Sequence, residues 1–187
     1  MNSRSILELD AHLSNQMRVA EKPGALRAIA VFFAHSGDSW FWAIALLILW
    51  IRSDSSSWKE WAVVQFVAIS LLAVLVMSIK FRIRRLRPEG EWGSIYRKTD
   101  PHSFPSGHAA RAFLIGTIAT GLGPEWLAIA LWIWAPLVAL ARVAMGVHYV
   151  SDILAGAVFG VLIALIGLQI YPLVFDWVFR FLCFALW

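Results

Sequence analysis

The longest uncharged stretch of the chain constrains its fold more than any other feature. Ile153–Phe175 contains 23 consecutive residues without a charged side chain, and about 20 apolar residues suffice for a helix to cross a bilayer. Hydrophobic residues make up 60% of the chain and charged residues 15%, compared with roughly 45–50% and 25% in soluble domains. The sequence therefore predicts an all-α, polytopic membrane bundle of five or six transmembrane helices. It excludes a disordered chain, a coiled coil and an ordinary soluble domain.

The 187 residues predict a single domain, 1–187, because a domain contains about 150 residues. Residues 1–24 have the spacing of an amphipathic helix on the membrane surface and no signal-peptide pattern. A turn-forming run at 35–39 predicts a break in the apolar stretch that contains it, and 173–187 reads as a last short span or an interfacial helix. The rest predicts a short helix near 25–35 and spans at about 39–51, 62–79, 107–122, 125–143 and 153–175.

Positive charge is concentrated in one segment. Residues 80–100 carry a net charge of +4, which equals the net charge of the whole chain. A surface for nucleic acid would spread basic residues over a larger area, so we expect no nucleic-acid partner. The basic loop 80–104 instead predicts a local anion-binding loop between membrane helices.

Several ionisable residues flank the predicted spans, where such residues are costly and therefore candidates for function. The spans 107–122 and 125–143 are joined by a short loop, so they form an antiparallel pair. Both outer ends of this pair then lie at the membrane face that holds the basic loop. The candidates that this topology brings together are Lys80, Arg87, Ser106, Gly107, His108, Arg142, His148 and Asp152.

The cations and the helix start in this set suit a phosphate group. Lys80, Arg87 and Arg142 offer charge-assisted hydrogen bonds. Ser106 and Gly107 at the start of a helix offer backbone N–H groups to an anion.

The two histidines suit the two roles that phosphoryl transfer requires. Asp152 follows His148 by four residues, a spacing at which a carboxylate can reach an imidazole. We therefore expect His148 to be the nucleophile and His108 the acid for the leaving group.

A metal site is the rival interpretation, since His102, His108, His148 and Asp152 are possible ligands. Three cations nearby would repel a divalent ion. We expect no metal and no cofactor.

Three motifs in this order resemble the signature motifs of the type 2 phosphatidic acid phosphatase superfamily, which includes membrane lipid phosphatases and soluble vanadium haloperoxidases. The motifs are Lys80-x6-Arg87-Pro88, Pro105-Ser106-Gly107-His108 and Arg142-x5-His148-x3-Asp152. The resemblance implies phosphate binding by Lys80, Arg87, Ser106, Gly107 and Arg142, a phosphohistidine at His148 oriented by Asp152, and a proton from His108.

One position departs from the family pattern. The third motif usually begins Ser-Arg, whereas this chain has Ala141-Arg142. A hydroxyl that would help the phosphate site is therefore missing.

Other polar residues are interpreted as structural. We expect Asp38 to be a helix cap and His102 to order the loop. Arg111 lies one turn after His108, where it can either touch the site or extend its head towards water, and we favour the second interpretation. We expect Gly156 and Gly160 to form a helix-packing face. Topology or lipid-headgroup contact accounts for the remaining cations of the basic segment, which are Arg82, Arg84, Arg85, Arg97 and Lys98.

The resemblance implies an integral protein of the cell membrane that hydrolyses a phosphomonoester or diphosphate on a membrane lipid. Candidate substrates are polyprenyl diphosphates, phosphatidic acid and phosphatidylglycerophosphate. The expected partners are this lipid phosphate and membrane lipids, and the oligomeric state is not predicted. The alternatives are a vanadate-dependent haloperoxidase and a non-catalytic binder or transporter of lipid phosphates.

Overall fold

The computed structural model describes residues 3–181, which form eight helices and no β-strand. The predicted all-α membrane bundle is confirmed. The helices are α1 (Ser3–Gln16), α2 (Ala25–Ser36), α3 (Ser39–Arg52), α4 (Ser56–Ile83), α5 (Glu91–Thr99), α6 (Gly107–Leu122), α7 (Glu125–Ala144) and α8 (Val150–Phe181).

Within residues 3–181, three helices are long and apolar enough to cross a membrane: α4, α7 and the Val150–Val174 part of α8. The pair α2 and α3 gives a fourth span if it crosses as one broken helix. Helix α6 has 16 residues and is therefore about 24 Å long, shorter than the hydrocarbon core. The predicted total of five or six transmembrane helices therefore stays a prediction.

The predicted break at 35–39 is present, because α2 and α3 meet at an angle of 58°. Gly37 lies at this break and packs closely on the bundle, where an added Cβ would come within 2.8 Å of Val138 Cγ1. The break therefore lies against α7 inside the protein.

Helix α6 is the central element, and α8 approaches it through the two glycines of the predicted packing face. A Cβ at Gly156 would lie 2.5 Å from the carbonyl oxygen of Ser106, and one at Gly160 would overlap the backbone of Ala110. The two helices therefore pack with their backbones in contact, as small residues permit. A second polar link joins α4 to α6, because the buried Gln65 side chain donates to the carbonyl of Ile115 over 3.1 Å.

The basic loop 80–104 contains more structure than its sequence predicts. Helix α4 continues to Ile83, and α5 forms within the loop. Trp92 and Tyr96 of α5 pack against an apolar cluster that includes Met145 and Val147. This burial stabilises a helix whose own apolar content is low.

The N-terminal helix α1 is docked on the bundle through its polar face. Asp10 Oδ1 accepts a hydrogen bond of 3.0 Å from the N–H of Ser151, and Ser14 Oγ accepts one of 2.9 Å from the N–H of Val150. These side chains occupy the N-terminus of α8, where backbone N–H groups lack partners within the helix. The apolar face of α1 stays exposed, with Ile6, Leu7, Leu9 and Leu13.

At the other end of the chain, α8 continues through Pro172 to Phe181 without a break. The predicted segment 173–187 thus begins as an extension of the last span. Residues 182–187 lie outside the described part of the chain.

The packing of α8 on α6 yields the first prediction. Gly160→Ala should lower the melting temperature of the purified protein by several degrees, because the added methyl group overlaps the α6 backbone. Gly167→Ala is the matched control, since it makes the same change in the same helix where nothing lies within 4 Å. Its melting temperature should be unchanged or higher, because alanine favours the helix. Equal melting temperatures for the two variants would contradict the close packing.

Candidate active site

All eight predicted site residues lie at one end of the bundle, where α4 ends, α6 begins, α7 ends and α8 begins. A cavity of about 370 Å³ lies there. One wall is polar and the other, from α4, is apolar. The lining residues are Ser39, Ile69, Leu72, Ala73, Val76, Met77, Lys80, Arg87, Tyr96, Asp100, Gly107, His108, Arg111, Arg142 and His148.

Lys80 and Arg87 converge on a carboxylate that the sequence analysis did not single out. Asp100 Oδ2 pairs with the Lys80 ammonium and accepts a 2.6 Å hydrogen bond from Arg87 Nη2. Lys80 also donates to the carbonyl of His102 over 3.1 Å. Asp100 therefore partly neutralises two cations that would otherwise repel each other.

Arg142 is fully buried, and only some of its N–H groups have hydrogen-bond partners. Its Nη1 donates to the hydroxyl of Tyr96 over 3.2 Å, and its guanidinium lies 4.6 Å from the centre of the Tyr96 ring. Among the described residues, its Nε and Nη2 have no hydrogen-bond partner. A buried cation with free N–H groups at a cavity is suited to bind an anionic oxygen.

The partners of His148 indicate which of its nitrogens carries a proton. Nε2 lies 3.0 Å from Arg87 Nη1, and because arginine only donates, Nε2 is the unprotonated acceptor. Nδ1 lies 3.4 Å from Asp152 Oδ2, longer than a usual hydrogen bond. Burial lowers the pKa of His148 well below its usual value, and the charges of Arg87, Arg142 and Lys80 lower it further. The ring is therefore neutral at physiological pH, and its Nε2 lone pair accepts the hydrogen bond from Arg87.

Asp152 has a partner that the sequence interpretation assigned to topology or headgroup contact. Arg85 Nη1 donates to Asp152 Oδ1 over 2.9 Å and to Ser151 Oγ over 2.6 Å, and Arg85 Nη2 donates to Asp10 Oδ2 over 2.7 Å. The backbone N–H of Tyr149 donates to the other Asp152 oxygen over 2.9 Å. The interpretation of Arg85 was wrong, because this side chain ties Asp152 to α1.

Asp38 also differs from its expected role. It precedes α3, yet its side chain makes no capping hydrogen bond to that helix. Its Oδ1 instead lies 2.7 Å from His108 Nε2. Arg111, one turn further along α6, donates to the carbonyl of Gly37 and lines the cavity, so the expectation that it reaches towards water was wrong.

Ser106 and Gly107 form the start of α6. Ser106 is the N-cap, and its hydroxyl accepts from the N–H of Ala109 over 3.4 Å. Gly107 lines the cavity, whereas Ser106 is not among the lining residues. The positive end of the α6 dipole therefore faces the cavity, while the Ser106 hydroxyl caps the helix.

The four residues of the rival metal interpretation do not converge on one point, although His148 and Asp152 lie close together. Among residues 3–181, no group of three or more His, Cys, Asp or Glu side chains is arranged to hold a metal ion. His102 packs edge-on against Phe81 and bridges to Leu86, so it orders the loop as expected.

A protein-family model described as the PAP2 superfamily matches residues 61–176. The chain therefore belongs to the PAP2 superfamily, and the resemblance of the three motifs is confirmed. All eight predicted site residues fall within the matched segment.

Curated relatives include a lipid A 1-phosphatase from Porphyromonas gingivalis, 32% identical over 66% of this chain and 27% of the relative. The chain thus spans about a quarter of that relative's length. An undecaprenyl-diphosphatase from Sulfolobus acidocaldarius is 29% identical over 78% of this chain and 70% of the relative. A decaprenylphosphoryl-5-phosphoribose phosphatase from Mycobacterium tuberculosis is 32% identical over 82% of this chain and 84% of the relative.

Two solved structures share the fold. A transmembrane PAP2-type phosphatidylglycerolphosphate phosphatase from Bacillus subtilis has a TM-score of 0.72 and 21% identity, and the match covers 92% of this chain and 89% of that one. LpxE from Aquifex aeolicus has a TM-score of 0.65 and 27% identity over 83% of this chain and 93% of that one. The helical architecture is therefore that of membrane PAP2 phosphatases.

The contacts of Arg85 yield the second prediction. Arg85→Gln should lower phosphatase turnover by on the order of tenfold, because Asp152 loses its charged partner and holds His148 less firmly. Arg82→Gln is the matched control, since it makes the same change at an exposed position of the same segment. Similar turnover for the two variants would contradict the role of Arg85.

Proposed function

We propose that the chain is an integral membrane lipid phosphatase of the cell membrane that acts through a phosphohistidine at His148. One observation carries the proposal: a single cavity combines three cations and two histidines with an apolar wall. The cations suit the phosphate oxygens. The wall from α4 suits the first carbons of a lipid, whose tail would remain among the membrane helices.

The first half of the reaction uses the lone pair on His148 Nε2, which becomes available when the Arg87 N–H turns from this nitrogen to a phosphate oxygen. This nitrogen forms a bond to phosphorus while the bond from phosphorus to the lipid oxygen, or to the inner phosphate of a diphosphate, breaks. His108 donates a proton to the leaving oxygen. Lys80, Arg87 and Arg142 stabilise the charge on the transferring phosphoryl group.

In the second half, water attacks the phosphohistidine. His108, now neutral, accepts a proton from the water, the bond from phosphorus to nitrogen breaks, and inorganic phosphate leaves. Both histidines return to their starting states, so one turnover consumes one water molecule and no other reactant.

Among lipid phosphates, we propose polyprenyl-linked substrates as the first class to test. Two of the relatives named above carry a polyprenyl group in the names of their substrates. The test is phosphate release by the purified protein from polyprenyl diphosphate, polyprenyl phosphate, phosphatidic acid and phosphatidylglycerophosphate. Release from at least one of these by the unaltered protein, and from none by His148→Ala, is the expected result.

The third prediction separates the two histidines. His148→Ala should abolish first-turnover product release from both a lipid phosphomonoester and an aryl phosphate, because no other nucleophile replaces Nε2. His108→Ala should fail on the lipid substrate but still release the phenolate in the first turnover, since this leaving group needs no proton. Rapid-quench measurement of the first turnover distinguishes them, with His12→Ala as an exposed histidine control. Equal losses for both variants on both substrates would refute the assignment.

The fourth prediction concerns metals and inhibitors. Activity should survive incubation with EDTA, because Lys80, Arg87 and Arg142 supply the positive charge that metal ions supply in other phosphatases. Vanadate, an analogue of the transferring phosphoryl group, should inhibit competitively. A loss of activity on chelation that one divalent ion restores would overturn this mechanism.

A further inference from the structure

The break between α2 and α3 lies directly against the first turn of α6. The carbonyl of Gly37 accepts a hydrogen bond from Arg111, and a Cβ at Gly37 would lie 3.4 Å from His108 Cδ2. Ser36 fixes the break to neighbouring helices, because its hydroxyl accepts from Trp134 Nε1 over 2.8 Å and its carbonyl accepts from Trp42 Nε1 over 3.0 Å. The break is therefore held in a defined position beside the cavity.

This position turns the Asp38 carboxylate towards His108. Its Oδ1 lies 2.7 Å from His108 Nε2, and its Oδ2 lies 2.9 Å from His35 Nδ1 and accepts from Trp40 Nε1 over 3.2 Å. The Asp38 side chain is 16% exposed, so water screens these contacts only partly. Both carboxylate oxygens are thus oriented, one of them on the catalytic ring.

The contact determines how His108 is protonated. An ionised carboxylate only accepts, so Nε2 must carry a proton. The edge of the ring formed by Cδ2 and Nε2 faces the break, which leaves Nδ1 as the nitrogen available to a leaving group. A carboxylate at hydrogen-bond distance also stabilises the charged imidazolium, in which Nδ1 carries the proton to be donated.

Other charges around His108 oppose this effect. Burial of the ring is the largest effect that disfavours a positive imidazole, and the cations Arg142 of α7 and Arg111 of its own helix act in the same direction. Lys80, Arg87, Asp100 and the neutral His148 line the same cavity. Beyond Asp38 lies one further titratable ring, that of His35. Against these cations, Asp38 is the carboxylate in direct contact with the His108 ring.

We propose that Asp38 is the positioning residue of the proton donor: it fixes the Nε2 proton of His108 and favours the charged form of the ring against burial and the neighbouring cations, so that Nδ1 delivers the proton to the leaving group. This inference rests on the proposed function. When the bond between phosphorus and the leaving oxygen breaks, the bond from Nδ1 to its proton breaks too, and the proton moves to that oxygen. His108 is left neutral with Nε2 still bonded to Asp38.

The two histidines therefore differ in the protonation of Nε2, because one has a hydrogen-bond donor as its partner and the other an acceptor. Arg87 donates to Nε2 of His148 and keeps that nitrogen free of a proton. Asp38 accepts from Nε2 of His108 and keeps that nitrogen protonated.

The test compares Asp38→Asn and Asp38→Ala with Asp54→Asn, an exposed carboxylate control in the loop before α4. In the Asp38 variants, the first turnover of a lipid phosphomonoester should slow by at least tenfold, whereas phenolate release from an aryl phosphate should change less than threefold. The proton donor must be protonated to act, and Asp38 raises the pH at which it loses its proton. The basic limb of the kcat profile on the lipid substrate should therefore move to lower pH by about one unit in the variants, and Asp54→Asn should match the unaltered protein.

Each result decides the inference. Equal slowing on both substrates, or an unmoved basic limb, would overturn the role of Asp38 while leaving the lipid phosphatase standing. Absence of phosphate release from every lipid phosphate by the unaltered protein would overturn the proposed function and this inference together. The ratio of the two rates and the shape of the profile do not depend on how much of a variant folds, so partial misfolding does not obscure the outcome.

Discussion

Three cations are buried at one end of an apolar bundle, and the structure around them must stabilise their charges. Lys80 and Arg87 are 3% exposed and Arg142 is 0% exposed, and burying an unpaired charge costs several kcal/mol or more. The Asp100 carboxylate and the backbone carbonyls of Asp100, His102 and Val147 offset part of this cost. Tyr96 of α5 packs its ring on two guanidiniums. The fold thereby keeps the cations together, and the partly unsatisfied Arg142 leaves the cavity ready for an anion.

In the proposed mechanism the same cations create a difficulty, because the two histidines of one cavity must differ in protonation. A cluster of positive charge favours the neutral form of any imidazole within it. That form suits His148, whose Nε2 faces Arg87, but it does not suit a proton donor. The Asp38 carboxylate lies 2.7 Å from His108 Nε2 and favours the charged form of that ring. It reaches the ring because the chain bends between α2 and α3.

The sequence predicts that the eight candidate site residues lie together, because the motifs and the short loop between α6 and α7 bring them to one end of the bundle whatever the details of packing. It also predicts the break at Gly37, since the signal for a turn is local. It does not predict the partners of these residues. Asp38 precedes a helix and has the pattern of an ordinary cap, and Arg85 is one arginine among several in a basic loop. Asp38 meets His108 seventy residues away and Arg85 meets Asp10 seventy-five residues away, so only tertiary packing distinguishes them from residues of similar local pattern.

The size of the cavity limits what it can recognise. At about 370 Å³, it lies near the lower end of the range for ligand pockets, roughly 300–1,000 Å³. This volume suits a phosphate or diphosphate and the first carbons attached to it, whereas a long lipid chain must lie outside, along the exposed apolar faces of α3 and α4. An apolar cavity of about 370 Å³ between α3 and α4, lined by residues such as Leu46 and Phe66, would offer such a chain apolar contacts, and contacts of this kind discriminate weakly between apolar chains. Selection among lipid phosphates therefore falls on the phosphate and its nearest atoms, where the buried polar groups lie and a mismatched substrate would leave them unpaired.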